Sequence, residues 1–211
     1  MTNTLVLQTA GSENPDALPD LGRRKLLAAA TGIVGGAGIG AGSLPFVASM
    51  KPSERARAGG APVTVDFARL GPGELLTGEW RGKPVWILHR TAAMLRALES
   101  PAHRLKLADP DSRVTNQQPP YARNAFRSLK PEYLVVVPVC THLGCVPTFR
   151  PDVAPADLGS EWSGGYFCPC HGSKFDFAGR VYRNVPAPTN LVIPPHKYVT
   201  DTRVLIGEDT R

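Results

Sequence analysis

All four cysteines of this 211-residue chain lie in two short motifs that could hold a metal centre. The first motif reads Cys140-Thr-His-Leu-Gly-Cys145, and the second reads Cys168-Pro-Cys-His-Gly-Ser173. Each motif offers a thiolate and an imidazole a few residues apart, and both groups are ligands that proteins use for iron and zinc. Two loops could therefore bind one centre from opposite sides. The remaining cysteine of each motif could be bonded to the other.

A pair of imidazole ligands changes what an iron–sulfur centre can do. Most such clusters are held by four thiolates, and replacing two of them on one iron raises the reduction potential to roughly −150 to +300 mV. A bound imidazole also keeps a second nitrogen, whose acidity depends on the charge of the metal behind it. A cluster of this kind can accept an electron and a proton from one donor, as the oxidation of a quinol requires.

The two motifs resemble those of the Rieske iron–sulfur family, and specifically of its quinol-oxidising branch. The resemblance extends to Gly179-Arg180, to Pro186-Ala187-Pro188 and to the organisation of the N-terminus. It implies a subunit of a bacterial quinol–cytochrome c oxidoreductase that accepts one electron from quinol and passes it to the haem of cytochrome c1. It also implies a partner cytochrome b, assembly into a dimeric complex, and no activity of this polypeptide alone.

The same resemblance implies a role for each motif residue around one 2Fe–2S cluster. Cys140 and Cys168 would bind the buried iron. His142 and His171 would bind the outer, more exposed iron. The free ring nitrogen that meets the quinol hydroxyl would belong to His171.

Four further positions take their expected roles from the family. Cys145 and Cys170 would form a disulfide between the cluster loops. Ser173 would donate its hydroxyl to a cluster sulfur, and Leu143 would shield the cluster and help to form the surface presented to quinone. The family often has a tyrosine two residues beyond the serine, bonded to a cysteine sulfur. Here Phe175 lacks that donor, which implies a lower midpoint potential.

Three alternatives share part of this pattern. A structural zinc site uses the same ligand types. Zinc sites commonly contain C-x2-C pairs, however, whereas these motifs have C-x-H or C-x2-H spacing with an additional cysteine. A Rieske ferredoxin or ring-hydroxylating oxygenase typically lacks the two additional cysteines and a membrane anchor. The Rieske subunit of arsenite oxidase can carry a disulfide and an export signal, but the proline loop and the domain length favour the quinol branch.

The N-terminal region predicts export and membrane anchoring. Residues 26–50 contain no charged side chain over 25 positions, and a helix of that length reaches about 37 Å, enough for a hydrocarbon core of about 30 Å. The preceding Arg23-Arg24-Lys25 resembles a twin-arginine export motif. We expect residues 1–25 to be a cytoplasmic tail, residues 26–50 one transmembrane helix in the bacterial inner membrane, and residues 51–62 a hinge. A cleaved signal peptide is the alternative.

Residues 63–211 are expected to form one periplasmic domain, because a disulfide favours an oxidising compartment. Strand patterns occur at residues 63–67, 84–88, 133–139, 166–167 and 203–206, and a capped helix is predicted at residues 91–100. This order predicts a mainly β fold, an antiparallel β-sandwich with an inserted cluster-binding subdomain. The net charge is +6, yet no stacking-aromatic or basic-helix pattern indicates nucleic-acid binding.

Overall fold

The computed structural model describes residues 21–53 and 59–209, and the chain divides into two units at the boundary between residues 53 and 54. The N-terminal unit contains α1 (Leu21–Ser49), a helix of 29 residues without a buried side chain. In the described residues it is the one helix long and apolar enough to cross a membrane. The helix begins at Leu21, five residues before the expected membrane span, so the basic motif lies within its first turns. The predicted tail up to residue 20 and part of the predicted hinge lie outside the described residues.

Within the residues that the structure describes, the second unit contains nine short strands and two short helices. The strands are β1 (Val63–Asp66), β2 (Leu75–Trp80), β3 (Lys83–His89), β4 (Tyr133–Val136), β5 (Thr148–Arg150), β6 (Gly165–Cys168), β7 (Ser173–Phe175), β8 (His196–Thr200) and β9 (Arg203–Ile206). The helices are α2 (Ala92–Glu99) and α3 (Pro101–Leu105), with single 3-10 turns at Thr115–Gln117 and Pro120–Ala122.

Three antiparallel sheets of three strands each organise this unit. Their strand orders are β1-β9-β8, β2-β3-β4 and β5-β6-β7. The third sheet, which carries the second cysteine–histidine motif, comes from the chain between β4 and β8. The predicted mainly β, antiparallel fold with an inserted subdomain is therefore confirmed.

Strand β3 supplies side chains to two separate cores. Val85 and Ile87 pack with residues of β1 and β9 in one apolar cluster. Trp86 and Leu88 point to the opposite face and join the cluster that contains the motif cysteines. Alternate side chains of a strand point to opposite faces, so a strand covered on both sides must be apolar throughout. The continuous apolar run in β3 meets that requirement.

The predicted helix at residues 91–100 is present as α2, and its cap is the predicted one. The Thr91 hydroxyl accepts a hydrogen bond from the Met94 N–H at 3.2 Å, which satisfies one of the free amides at the helix start. Met94 and Leu98 are buried on one face. The chain then turns at Ser100, which caps α3 in the same way.

Candidate metal centre

The first motif forms a tight loop after β4. The Cys140 N–H donates to the Cys145 carbonyl at 2.8 Å, and the Gly144 N–H donates to the Cys140 carbonyl at 2.9 Å. Gly144 has φ +85°, a conformation that side chains with a Cβ rarely adopt. These bonds hold the ends of the loop together and project its central residues outward.

The second motif is the turn between β6 and β7. Cys168 ends β6 and pairs in register with Ser173, which begins β7. The Gly172 N–H donates to the Cys168 carbonyl at 2.9 Å, and Gly172 also has a positive φ, of 79°. The two motifs therefore use the same local device, a loop closed by a backbone bond from a glycine to the first cysteine.

The four predicted ligands fall into an inner pair and an outer pair. Cys140 and Cys168 are buried and carry free thiols. Burial raises the pKa of the Cys168 thiol, the Cys170 N–H lowers it, and the hydrogen bond with the Cys140 side chain raises it again. The ring centroids of His142 and His171 lie 4.8 Å apart at an interplanar angle of 90°. His142 is half-buried and His171 is exposed.

A disulfide joins the two loops beside these groups. Cys145 and Cys170 are bonded, with their Cα atoms 6.7 Å apart, as predicted. The sulfurs of Cys145, Cys168 and Cys170 lie within 4.8 Å of one another. Two of these sulfurs are bonded to each other and cannot act as thiolate ligands, so the group leaves only the Cys168 thiol for a metal.

Residues of the proline loop tie both motifs together. The Ser173 hydroxyl is buried and accepts a hydrogen bond from the Ala187 N–H at 3.0 Å, which leaves its own proton available to donate. The Thr141 hydroxyl donates to the Thr189 carbonyl at 2.7 Å. We did not predict this contact of Thr141, because nothing in the sequence pairs residues so far apart.

The outer rim of the centre is apolar. The side chain of Leu143 is 71% exposed, and that of Val146 is 50% exposed. Exposed apolar side chains beside polar groups are typical of surfaces that contact a partner or an apolar ligand. Leu143 directly follows His142 in the chain, and its role at the rim of the centre stays a prediction.

Comparison with known proteins gives one consistent result. Residues 86–195 match the family described as the Rieske [2Fe-2S] domain, and residues 14–53 match that described as the ubiquitinol-cytochrome C reductase Fe-S subunit TAT signal. The ubiquinol-cytochrome c reductase iron-sulfur subunit of Allochromatium vinosum is 61% identical over 187 residues, 89% of each chain. The chain belongs to the Rieske iron–sulfur family.

Other relatives of this Rieske protein carry the same description. The ubiquinol-cytochrome c reductase iron-sulfur subunit of Blastochloris viridis is 42% identical and covers 88% of this chain and 92% of its own. That of Rhodospirillum rubrum is 38% identical and covers 88% and 91%. The predicted family, its quinol-oxidising branch and the class of cofactor, a 2Fe–2S cluster, are confirmed. The N-terminal match also supports the predicted twin-arginine motif.

Proposed function

We propose that this Rieske protein is the iron–sulfur subunit of a bacterial quinol–cytochrome c reductase and transfers one electron from quinol to the haem of cytochrome c1. The observation that carries the proposal is the order of the donor groups from inside to outside. Two thiols are buried, and two imidazole rings lie toward the surface, one half-buried and one exposed. An electron and a proton can therefore arrive at the same exposed edge.

The donor set fits a binuclear iron–sulfur cluster. Cys140 and Cys168 would supply the thiolates of the inner iron, and His142 and His171 the nitrogens of the outer iron. When bound, the cluster supplies one-electron chemistry at a potential raised by its two imidazole ligands. The adjacent disulfide would clamp the loops, and the Ser173 hydroxyl would donate to a cluster sulfur, which favours the more negative, reduced state.

The exposed residues would bind and orient the quinol. The second ring nitrogen of His171 would accept a hydrogen bond from the quinol hydroxyl and take up its proton, and Leu143 would contact the apolar ring. Full oxidation of a quinol releases two electrons and two protons. This chain takes one electron, so the second must pass to another redox group of the complex, which we assign to cytochrome b.

The N-terminal unit would anchor the subunit. We propose that residues 26–50 span the bacterial inner membrane once, that residues 1–25 are cytoplasmic, and that residues 63–211 lie in the periplasm. The apolar helix and the match to a TAT signal support the anchor, and the disulfide supports the oxidising side. Residues 51–62 would be the hinge that lets the domain reach cytochrome b and cytochrome c1 in a dimeric complex.

Electron paramagnetic resonance of membranes from the native host tests this function. Reduced wild-type membranes should give the spectrum of a two-histidine 2Fe–2S cluster, and quinol should reduce cytochrome c. His142→Gln and His171→Gln should each lose the spectrum and the activity. His89→Gln is the matched control, because His89 is half-buried and hydrogen-bonds to the Leu70 carbonyl instead of joining the centre. A full spectrum in His171→Gln would contradict the ligand assignment.

A further inference from the structure

Three arginine side chains are buried around the turn that follows β7. Arg90 is 2% exposed, Arg127 is 0% exposed and Arg180 is 1% exposed. Arginine is almost never fully buried unless its charge is paired. We call these three residues the arginine cluster. Because their side chains are buried, they cannot serve as ordinary charged surface residues.

The arginine cluster holds the backbone of residues 176–180. Arg90 Nη1 donates to the Phe126 carbonyl at 2.8 Å and to the Phe177 carbonyl at 3.4 Å. Arg127 Nη1 donates to the carbonyls of Ala178 and Gly179, both at 3.2 Å. Consecutive carbonyls of one turn thus accept from two guanidinium groups, which fixes the chain directly after β7.

The carboxylate in this region is Asp176. Its Oδ2 accepts from Arg180 Nε at 2.7 Å and contacts His103 Nε2 at 3.1 Å, and its Oδ1 accepts from the N–H groups of Ala178 and Arg180, both at 2.8 Å. In the part of the chain that the structure describes, Asp176 is the only buried carboxylate. Three buried guanidinium groups therefore accompany one buried carboxylate, and of the three it is Arg180 that pairs with it directly.

The excess charge persists at neutral pH. Burial lowers the pKa of Arg90 and that of Arg127 to about 10, so both groups stay protonated. Burial acts to raise the pKa of Asp176, but Arg180 and the hydrogen bond from His103 hold it well below its usual range. The four groups together carry a net positive charge inside the protein.

The turn held by the arginine cluster follows the second motif closely in the chain, and apolar side chains are buried between them. Ser173 pairs with Cys168, and Asp176 follows Ser173 by three residues, about 10 Å along an extended chain. Phe175, between them, is fully buried and belongs to the same apolar cluster as both free cysteines. Charges separated by protein interior are screened much less than charges on the surface.

We propose that the arginine cluster, Arg90, Arg127 and Arg180, raises the reduction potential of the 2Fe–2S centre by stabilising the extra electron of its reduced state. The inference rests on the proposed function. The centre gains one negative charge when it accepts an electron from the donor. The buried excess of positive charge favours that reduced state, and the arginines neither gain nor lose a proton. The arginines act through space and are positioning and tuning residues, not ligands.

The midpoint potential, measured by redox titration of the spectrum in native membranes that contain the complex, tests the inference. Arg90→Gln and Arg127→Gln remove positive charge and should each lower the potential. Asp176→Asn removes the opposing charge and should raise it. Loosened packing alone would not move these variants in opposite directions. Arg127→Lys keeps the charge and should stay closer to wild type than Arg127→Gln.

Lys197→Gln is the control for charge change alone. Lys197 is half-buried in β8 and pairs with the exposed Glu208, which lies beyond the end of β9, and removal of its charge should leave the potential unchanged. If Asp176→Asn leaves the potential unchanged or lowers it, the inference is overturned while the proposed function stands. Where a glutamine variant assembles no cluster, Asp176→Asn and Arg127→Lys decide the question. A wild type without any cluster spectrum would instead refute the proposed function.

Discussion

Tyr166 and Phe175 face each other across β6 and β7, two residues along the ladder from the Cys168–Ser173 pair. Both rings are fully buried in the apolar cluster that contains Cys140 and Cys168. The side chain at position 175 therefore belongs to the same apolar core as the two free cysteines.

Phe175→Tyr should raise the midpoint potential of the centre. A hydrogen bond to a ligand sulfur stabilises the reduced state, and a net bond of about 1 kcal/mol corresponds to a shift on the order of 40 mV for one electron. Redox titration would measure it. Tyr166→Phe is the control, because the Tyr166 hydroxyl has no hydrogen-bond partner among the described residues. Equal potentials for Phe175→Tyr and wild type would count against this account.

Cys145→Ser should lose the cluster. The disulfide to Cys170 joins the two loops that carry the proposed ligands, so its removal lets the loops separate and exposes the centre to water and oxidants. The amplitude of the cluster spectrum, relative to protein amount, measures the loss. Cys170→Ser removes the same bond and should behave identically. Retention of a full-strength, active cluster in either variant would show that the bond is not needed.

Gly165→Ala should destabilise the cluster-binding sheet by about 3 kcal/mol or more. Gly165 has φ +145°, and an added Cβ would clash with the Phe175 carbonyl oxygen and lie 2.9 Å from the Asp176 Cα. Gly159→Ala is the control, because Gly159 also has a positive φ, of 82°, but a Cβ added there would have no neighbouring atom within 4 Å in the described part of the chain. Thermal unfolding should show a much larger loss for Gly165→Ala.

The unfolding free energy should fall as the pH drops through the ordinary titration range of histidine. Burial lowers the pKa of His196, and its hydrogen bond to the Pro194 carbonyl only partly opposes that effect. The unfolded chain therefore binds a proton more readily than the folded one. The stability from this group is complete above about pH 6.5 and is lost at lower pH.

Thermal unfolding of wild type and His196→Gln between pH 7.5 and 5 checks this sign. The buried Nε2 of His196 has no partner among the described residues, so protonation places a charge in apolar surroundings. We expect a decline in wild type that is smaller in His196→Gln. If stability declined equally with falling pH in both proteins, groups other than His196 would be responsible for the pH dependence.

Local sequence signals predicted some strands and not others. The apolar run of β3 needs no knowledge of its neighbours, and Thr91 caps α2 through a contact three residues away. Strand β2 (Leu75–Trp80) was not predicted, because Gly78 and Glu79 interrupt its apolar residues and its side chains are only partly covered. Strands β5 and β7 have three residues each, too few to show a period.

Some residues of the site could also be predicted from the sequence, and others could not. The proposed ligands are identifiable because thiols and imidazoles at fixed spacing have few other uses. The arginine cluster was not predicted, because an arginine is expected at the surface until its partners are known. Those partners are distant in sequence: Arg90 donates to the carbonyl of Phe126, 36 residues on, and Arg180 Nη2 to that of Leu98, 82 residues back.

The register of β3 cannot shift by one residue without exchanging the side chains that it contributes to its two cores. Inserting one residue before Val85 would send Val85 and Ile87 to the side of the metal centre and Trp86 and Leu88 to the side of β1 and β9. Each core would then receive the side chains that are packed in the other one. A one-residue shift in the β2–β3 hairpin would therefore disturb both the core that contains the motif cysteines and the core formed with β1 and β9.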